Sequence, residues 1–523
     1  MRLIITVYFA LLSSFFFSCK NLTGDVKNTT SVIADSVESS TPLFHFGPKK
    51  NWINDPNGLV FYNGVYHLFY QYNPFADVWG HMSWGHATSK NLMHWTEEPV
   101  AIAEFTEYDT MVTSIFSGTA FIDSFNTSGL GTKENPSPMI AIYTGNVTAG
   151  ERQLAQYQNM ACSNDNGQTF TEYKANPILD IHSKEFRDPK VFWYAPSKQW
   201  VMIVSKPDEY KVLFFGSENL KDWKKLGEFG GNIGNKKRVW ECPDIFETPV
   251  ANGSGEKKWV ITVSAGSPQD DFLAMQYFVG SFNGKSFVAD PLAYPLYLDF
   301  GKDFYAGITY NNIPSSDGRR IMIGWINCWE YANKIPSTGF RGRMAVPRNL
   351  TLMKTLGGYQ LTQEPVVEFD SLRTEVLSLN NQQVDSVFDL SFHGTSYELD
   401  LNIDSGAAIN AGIKILKSNN EETVLEYTSA TKVLSLDRTK SGDTSFSPKF
   451  SSIESVKTIP QNGSITIRIL VDKTIVEVFV NNGQSVITDQ VFPKGKDGGI
   501  QLFSEGGRTL FKSVKVYAIK SLK

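Results

Sequence analysis

The chain has 523 residues, 20% of them charged and 41% apolar, with a formal net charge of −5. That is the balance of a folded globular protein with length for about two to four domains. The negative balance and the lack of any long Lys/Arg run exclude nucleic acid as an obvious partner. Aromatic residues make up 13%, which favours β structure and stacking surfaces without identifying either.

The first residues, MRLIITVYFALLSSFFFSCK, place Arg2 before an apolar run from Leu3 to Phe17. At about 15 residues this run is shorter than the ~20 a membrane-spanning helix needs. Residues 1–18 therefore read as a signal peptide, and Ser18-Cys19 resembles the cleavage box of bacterial lipoproteins. The expectation is a lipid anchor on Cys19 and a place on a bacterial cell envelope, facing the periplasm or the outside. An ordinary secretory signal with an incidental cysteine is the alternative. Residues 19–42 are rich in Ser, Thr, Asn and Asp and read as a flexible tether. Cys162, Cys242 and Cys328 remain, an odd number with no CxxC or Cys/His cluster, and the seven histidines are scattered. No metal site is expected.

From residue 43 to 365 short apolar runs such as Met139–Tyr143, Trp200–Val204 and Trp259–Val263 alternate with Gly, Asn, Asp and Pro. Their length and the near absence of helical periodicity predict strands. A degenerate repeat runs through this region. Ser89-Lys-Asn-Leu-Met-His-Trp95 returns as Ser217-Glu-Asn-Leu-Lys-Asp-Trp223, with weaker copies at Ser163–Phe170 and Ser281–Phe287. Each copy follows an apolar strand, which suits the outer hairpin of a repeated four-stranded unit. The spacing predicts a β-propeller of about five blades; an array of plain sandwiches would not explain the shared Ser…aromatic endings. From 370 to 523 the alternation at Val387–Phe392, Tyr397–Ile403 and Ile465–Ile469, and the turn Asn481-Asn482-Gly483, predict an antiparallel β-sandwich. The fold class is thus all-β.

Three acidic residues stand at strand starts in aromatic or constrained settings: Asp55 in WINDPNG, Asp188 in EFRDPK and Glu241 in RVWECPD. Asp before Pro is a routine turn, so neither Asp55 nor Asp188 carries chemistry by itself. Glu241, flanked by Trp240 and Cys242, is in a setting that desolvates a carboxyl and so favours its acid form. Asp188 and Glu241 are 53 residues apart, one of the repeat distances, so a propeller would bring them toward one central channel.

Taken together, WINDPNG (52–58), FSG (116–118), FRDP (186–189), WECPD (240–244) and GKDFYA (301–306) resemble, in order, the motifs of glycoside hydrolase family 32, the β-fructofuranosidases. The resemblance covers almost everything after the tether, including Val471–Gly483. It implies a five-bladed propeller followed by a β-sandwich, and a retaining double displacement without cofactor. By that resemblance Asp55 is the nucleophile, Glu241 the acid/base and Asp188 the stabiliser of the transition state, with Arg187 beside it. Asn54, Gln71, Trp79, Phe116 and Ser117 would line the sugar subsite, and Trp52 would border the leaving group. Trp325 and Trp329 are further candidates that could equally be core. Cys242 is expected to modulate the pKa of the acid.

The resemblance of Trp79–His86 to a loop of exo-acting members favours release of terminal fructose from a fructan, levan or inulin, with sucrose as a further substrate. Endo cleavage is the alternative. An inverting furanosidase acting on arabinan or xylan, and a non-catalytic fructan-binding lipoprotein, are competing classes. The FRDP and WECPD motifs oppose the first, and the intact carboxyl set opposes the second. Oligomeric state is not legible in the sequence.

Overall fold

The computed structural model describes residues 41–522 except 108–109, 254, 267–272, 337–338 and 496–497. The expected signal peptide, Cys19 and all but the last two residues of the tether lie outside the described residues.

Among the described residues seven sheets are built, five before residue 366 and two after it. In each of the first five, four main strands follow one another as antiparallel neighbours, forming a meander. The innermost strands are Asn51–Tyr62, Met111–Ile122, Arg187–Tyr194, Glu241–Pro249 and Tyr305–Thr309. Each touches the next, and the fifth touches the first, which closes a five-bladed propeller. Closure is reinforced by a parallel bridge from Val60 to Asn311 and by Phe340–Arg341 pairing with Asn51–Trp52.

Blade-on-blade packing explains the unbroken apolar runs. Val201, Met202, Ile203 and Val204 are all fully buried, because neighbouring blades cover both faces of that strand. The Ser…aromatic repeat is the turn from third to fourth strand in four of the blades. Its polar residues cap that turn. Ser89, Ser163 and Ser217 hydroxyls accept the N–H two residues on, and Asn91, Asn219 and Asn283 carboxamides accept the next pair. Trp95, Phe170, Trp223 and Phe287 then fill the gaps between blades.

Gly358–Pro365 is the last propeller strand, and after a turn at Val367–Leu372 the sandwich begins with Arg373–Val384. Two six-stranded sheets enclose the alternating residues Tyr397, Leu399, Leu401 and Ile403 with Ile465, Ile467 and Ile469. Asn481 and Asn482 take positive φ in the hairpin turn. The strand Ile475–Val480 is buried along its whole length: Val476, Val478 and Val480 face the sandwich core, while Phe479 packs with propeller residues.

Buried ion pairs join the two domains. Arg348 of the propeller binds Asp299 at 2.9 Å and Glu477 of the sandwich at 3.1 Å. Arg438 of the sandwich binds Asp303 of the propeller at 2.6 Å. The first described residues dock on the sandwich as well, since Asp472 accepts the N–H groups of Leu43, Phe44 and His45 at 2.6, 2.9 and 3.1 Å.

Candidate active site

One backbone irregularity recurs in all five innermost strands. The step Ile53 to Pro56 is matched by Tyr72 to Tyr70 on the partner strand, three residues against two. The same three-against-two bulge occurs at Ile115–Gly118, Arg187–Lys190, Glu241–Asp244 and Tyr305–Ile308. A bulge re-aims the side chains it carries. Its residues here are Asn54 and Asp55, Phe116 and Ser117, Asp188, Cys242 and Ala306, preceded in three blades by Arg187, Glu241 and Tyr305. Asp188, Cys242 and Ala306 all take positive φ, at 64°, 47° and 54°. The structural equivalents are therefore Asp188 with Cys242, and Arg187 with Glu241. Asp188 and Glu241 are offset by one residue, so they approach each other from different bulge positions.

Asp55 is 8% exposed. Its Oδ2 accepts from the Ser117 hydroxyl at 2.5 Å and the Cys242 thiol at 3.5 Å, and its Oδ1 accepts from Asn54 at 3.0 Å. Burial pushes its carboxyl above the usual range, opposed by the Ser117 and Asn54 donors and aided by the charge of Glu241. Asp188 is buried too, and its Oδ2 accepts the main-chain N–H of Cys242 at 2.9 Å. Burial is again the largest cause of its pKa, pushed up to about 7. Arg187 opposes that rise, and the charges of Glu241 and Asp55 add to it.

Glu241 is held on both oxygens. Arg187 donates from Nε and Nη2 to Oε1 at 3.0 and 2.9 Å, and the Tyr305 hydroxyl donates to Oε2 at 2.6 Å. Arg187 is itself fixed by Glu185 at 2.5 Å and Gln156 at 3.3 Å. Burial and the adjoining carboxylates raise the Cys242 thiol far above its ordinary value, so it stays protonated. Its hydrogen-bonding contacts are with Asp55 and Asp188, the latter at 3.7 Å, rather than with the carboxyl of Glu241 beside it in sequence.

The other candidates fall into two groups. Gln71 is buried and braces the second blade's bulge through Ile115 O at 2.9 Å. Trp52 is fully buried and donates its indole N–H to Asn54 Oδ1 at 2.7 Å, so it orients Asn54 from behind. Trp325 is also fully buried, 5.8 Å from Trp52 and 4.8 Å from the partly exposed Trp329. These rings form an apolar wall with Tyr305 and Phe116. Trp79 is 46% exposed at the rim, edge-on to Phe116 at 6.2 Å.

Tyr305 was legible only as part of GKDFYA. Its neighbours Lys302 and Asp303 turn instead to the sandwich, bonding Lys449 O and Arg438. Gln156 and Thr144, whose hydroxyl accepts the Asp188 N–H at 3.0 Å, carry no local sequence signal, because each reaches the site from the neighbouring blade, whereas Glu185 stands in the same EFRDPK stretch as Arg187.

Two family models match the chain: "Glycosyl hydrolases family 32 N-terminal domain" over residues 45–365 and "Glycosyl hydrolases family 32 C terminal" over residues 368–518. A levanase of Bacillus subtilis (strain 168) is 39% identical over 509 residues, covering 94% of this chain and 73% of that protein. An extracellular exo-inulinase of Aspergillus ficuum is 38% identical over 513 residues, covering 91% of this chain and 94% of that protein. The crystal structure of exo-inulinase from Aspergillus awamori superposes with a TM-score of 0.86 at 34% identity, covering 93% of this chain and 99% of that one. Fold, carboxyl cluster and both family models agree: the chain belongs to glycoside hydrolase family 32.

Proposed function

We propose that the protein is a retaining, exo-acting fructanase that removes terminal fructose from levan- or inulin-type chains and also accepts sucrose. The observation that carries this reading is the convergence of Asp55, Asp188 and Glu241 on one bulged ring, each with donors matched to a distinct task. Asp55 attacks C2 of the terminal fructosyl unit. The C2–O bond to the rest of the chain breaks as Glu241 gives its proton to the leaving oxygen. Glu241, now a carboxylate, takes a proton from water, and that water attacks C2 and releases Asp55. Asp188 holds sugar hydroxyls and offsets positive charge developing on the ring, with Arg187 and Tyr305 orienting Glu241.

The likeness to a levanase and to exo-inulinases supports fructan as the substrate. Exo action is supported by the rim loop bearing Trp79, whose main chain is tied to Asn333 of the fifth blade at 2.9 Å and whose Asp77 pairs with Arg341 of the strand beside Trp52 at 3.1 Å. The leader and Cys19 support an envelope-anchored enzyme working where polymeric fructan is encountered.

Purified protein should release fructose alone from levan and inulin at early times by chromatography, and fructose with an equal amount of glucose from sucrose. A ladder of oligosaccharides would overturn exo action. Asp55→Asn and Glu241→Gln should each lose nearly all activity while unfolding at the wild-type temperature; near-full activity in Asp55→Asn would remove it as nucleophile.

A further inference from the structure

The loop after Asn73 presents apolar side chains to solvent from a fixed main chain. Asn73 pairs with Trp52, which puts this loop at the same end of the blade as Asp55. Asn73 Oδ1 accepts the N–H groups of Phe75 and Ala76 at 2.9 and 3.3 Å, and its amide donates to Val78 O at 2.8 Å. Together with the Asn333 and Arg341 contacts, nearly every turn of the loop is anchored. Yet Phe75 is 71%, Val78 41% and Trp79 46% exposed. Three of the thirteen large apolar side chains exposed among the described residues thus fall within five consecutive positions.

Scattered exposed apolar residues need no explanation, but a contiguous cluster held rigid next to a reactive site does. Contacts lead outward from Asp55 through Ser117 and Phe116 to Trp79; Phe75, four residues earlier in the same loop, stands edge-on to His81 at 5.3 Å. Sugar rings carry C–H faces that stack on aromatic rings, and a loop already ordered loses little entropy when it binds. A fructan whose terminal unit lies at Asp55 extends outward past the rim of the site, of which this loop is one part.

We propose that Phe75, with Val78 and Trp79, forms a ledge that holds fructosyl units beyond the one being removed, so that Phe75 sets chain-length preference. This rests on the fructan reading above. The occupant is the substrate chain rather than a second copy of the protein, because the ledge is continuous with the reactive site and only a few residues wide.

The test compares wild type, Phe75→Ala and Phe75→Trp on sucrose and on fructo-oligosaccharides of three to five units. The loss in kcat/KM for Phe75→Ala should grow with chain length, reaching about 3- to 10-fold more on the five-unit substrate than on sucrose, mainly through KM. Phe75→Trp should recover it. An equal loss at every length, no loss at any, or a changed oligomeric state in sedimentation would overturn the ledge. Wild type that releases no fructose from any of these substrates would instead sink the fructan reading itself. Because Phe75 is mostly exposed, its variants should unfold at the wild-type temperature, which separates binding from folding.

Discussion

The main-chain N–H of Cys242 donates to Oδ2 of Asp188 at 2.9 Å, joining the bulges of the third and fourth blades. The Cys242 side chain then turns to Asp55 in the first blade. One buried residue in a left-handed backbone conformation thus links two carboxyls from non-adjacent blades, and its thiol, kept protonated, is available to donate to both.

That arrangement makes the acid limb of the pH–activity profile sensitive to Asp55's donors. Burial already raises the Asp55 pKa, and the Ser117, Asn54 and Cys242 contacts pull it back. Removing a donor raises it further, so more of Asp55 is protonated at low pH. Ser117→Ala should move the acid limb of kcat/KM to higher pH and cost about tenfold or more at acidic pH, as expected for a hydrogen bond to a charged group. Cys242→Ala should move it in the same direction by less, and Cys242→Ser should restore it. Profiles measured from pH 4 to 8 check the order.

Tyr305 supplies the donor to the second oxygen of Glu241 from a fully buried position. Tyr305→Phe keeps the ring in the apolar wall and removes that donor alone. A fall in kcat of about 10-fold or more, with KM less changed, is expected from the loss of a charge-assisted hydrogen bond. Arg187→Lys should also fall, because a single ammonium cannot reproduce the two N–H contacts to Oε1 while holding Glu185 and Gln156. Steady-state kinetics on sucrose separate kcat from KM in both variants.

Arg438 is a stability residue that links the domains. Its guanidinium, fully buried, meets Asp303 at 2.6 Å, Asp489 at 3.5 Å and the Tyr331 hydroxyl at 2.9 Å. Arg438→Met would leave carboxylates buried without their counter-charge, at a cost of about 3–5 kcal/mol. Thermal unfolding should show a large drop. Adding Asp303→Asn to Arg438→Met should recover part of it; a double variant no more stable than the single one would contradict the pairing.

His45 ties the first described segment to the sandwich. Burial alone would lower its pKa, but the hydrogen bond to Asp472 at 2.9 Å and the carboxylate of Glu477 at 3.9 Å outweigh it and raise it from 6.5 to about 8. Arg343 and Arg348 are the cations near this pair of acids. A raised histidine stabilises fully below its unfolded pKa, and that contribution is lost as pH climbs through about 8. The shift corresponds to about 2 kcal/mol. Urea midpoints should fall between pH 6 and 9 in the wild type and change much less in His45→Gln.

The repeated strands, the Ser…aromatic turns, the change to alternating strands after residue 365 and the three acidic residues at strand starts are all legible in the sequence alone. Those features are local: turn chemistry, strand periodicity and short motifs are written in adjacent residues. Spacing also carried Asp188 and Glu241 to neighbouring blades, but it set them as equivalents, and the bulges shift the true correspondence by one residue. Only the closed ring decided that Cys242 serves Asp55 and Asp188 and that Tyr305 reaches Glu241. The same holds for Arg438 meeting Asp303, which lies 135 residues earlier in the chain. Each of these contacts joins separate blades or separate domains. Its partners are brought together by the burial of apolar faces between blades and sheets, which no short stretch of sequence encodes.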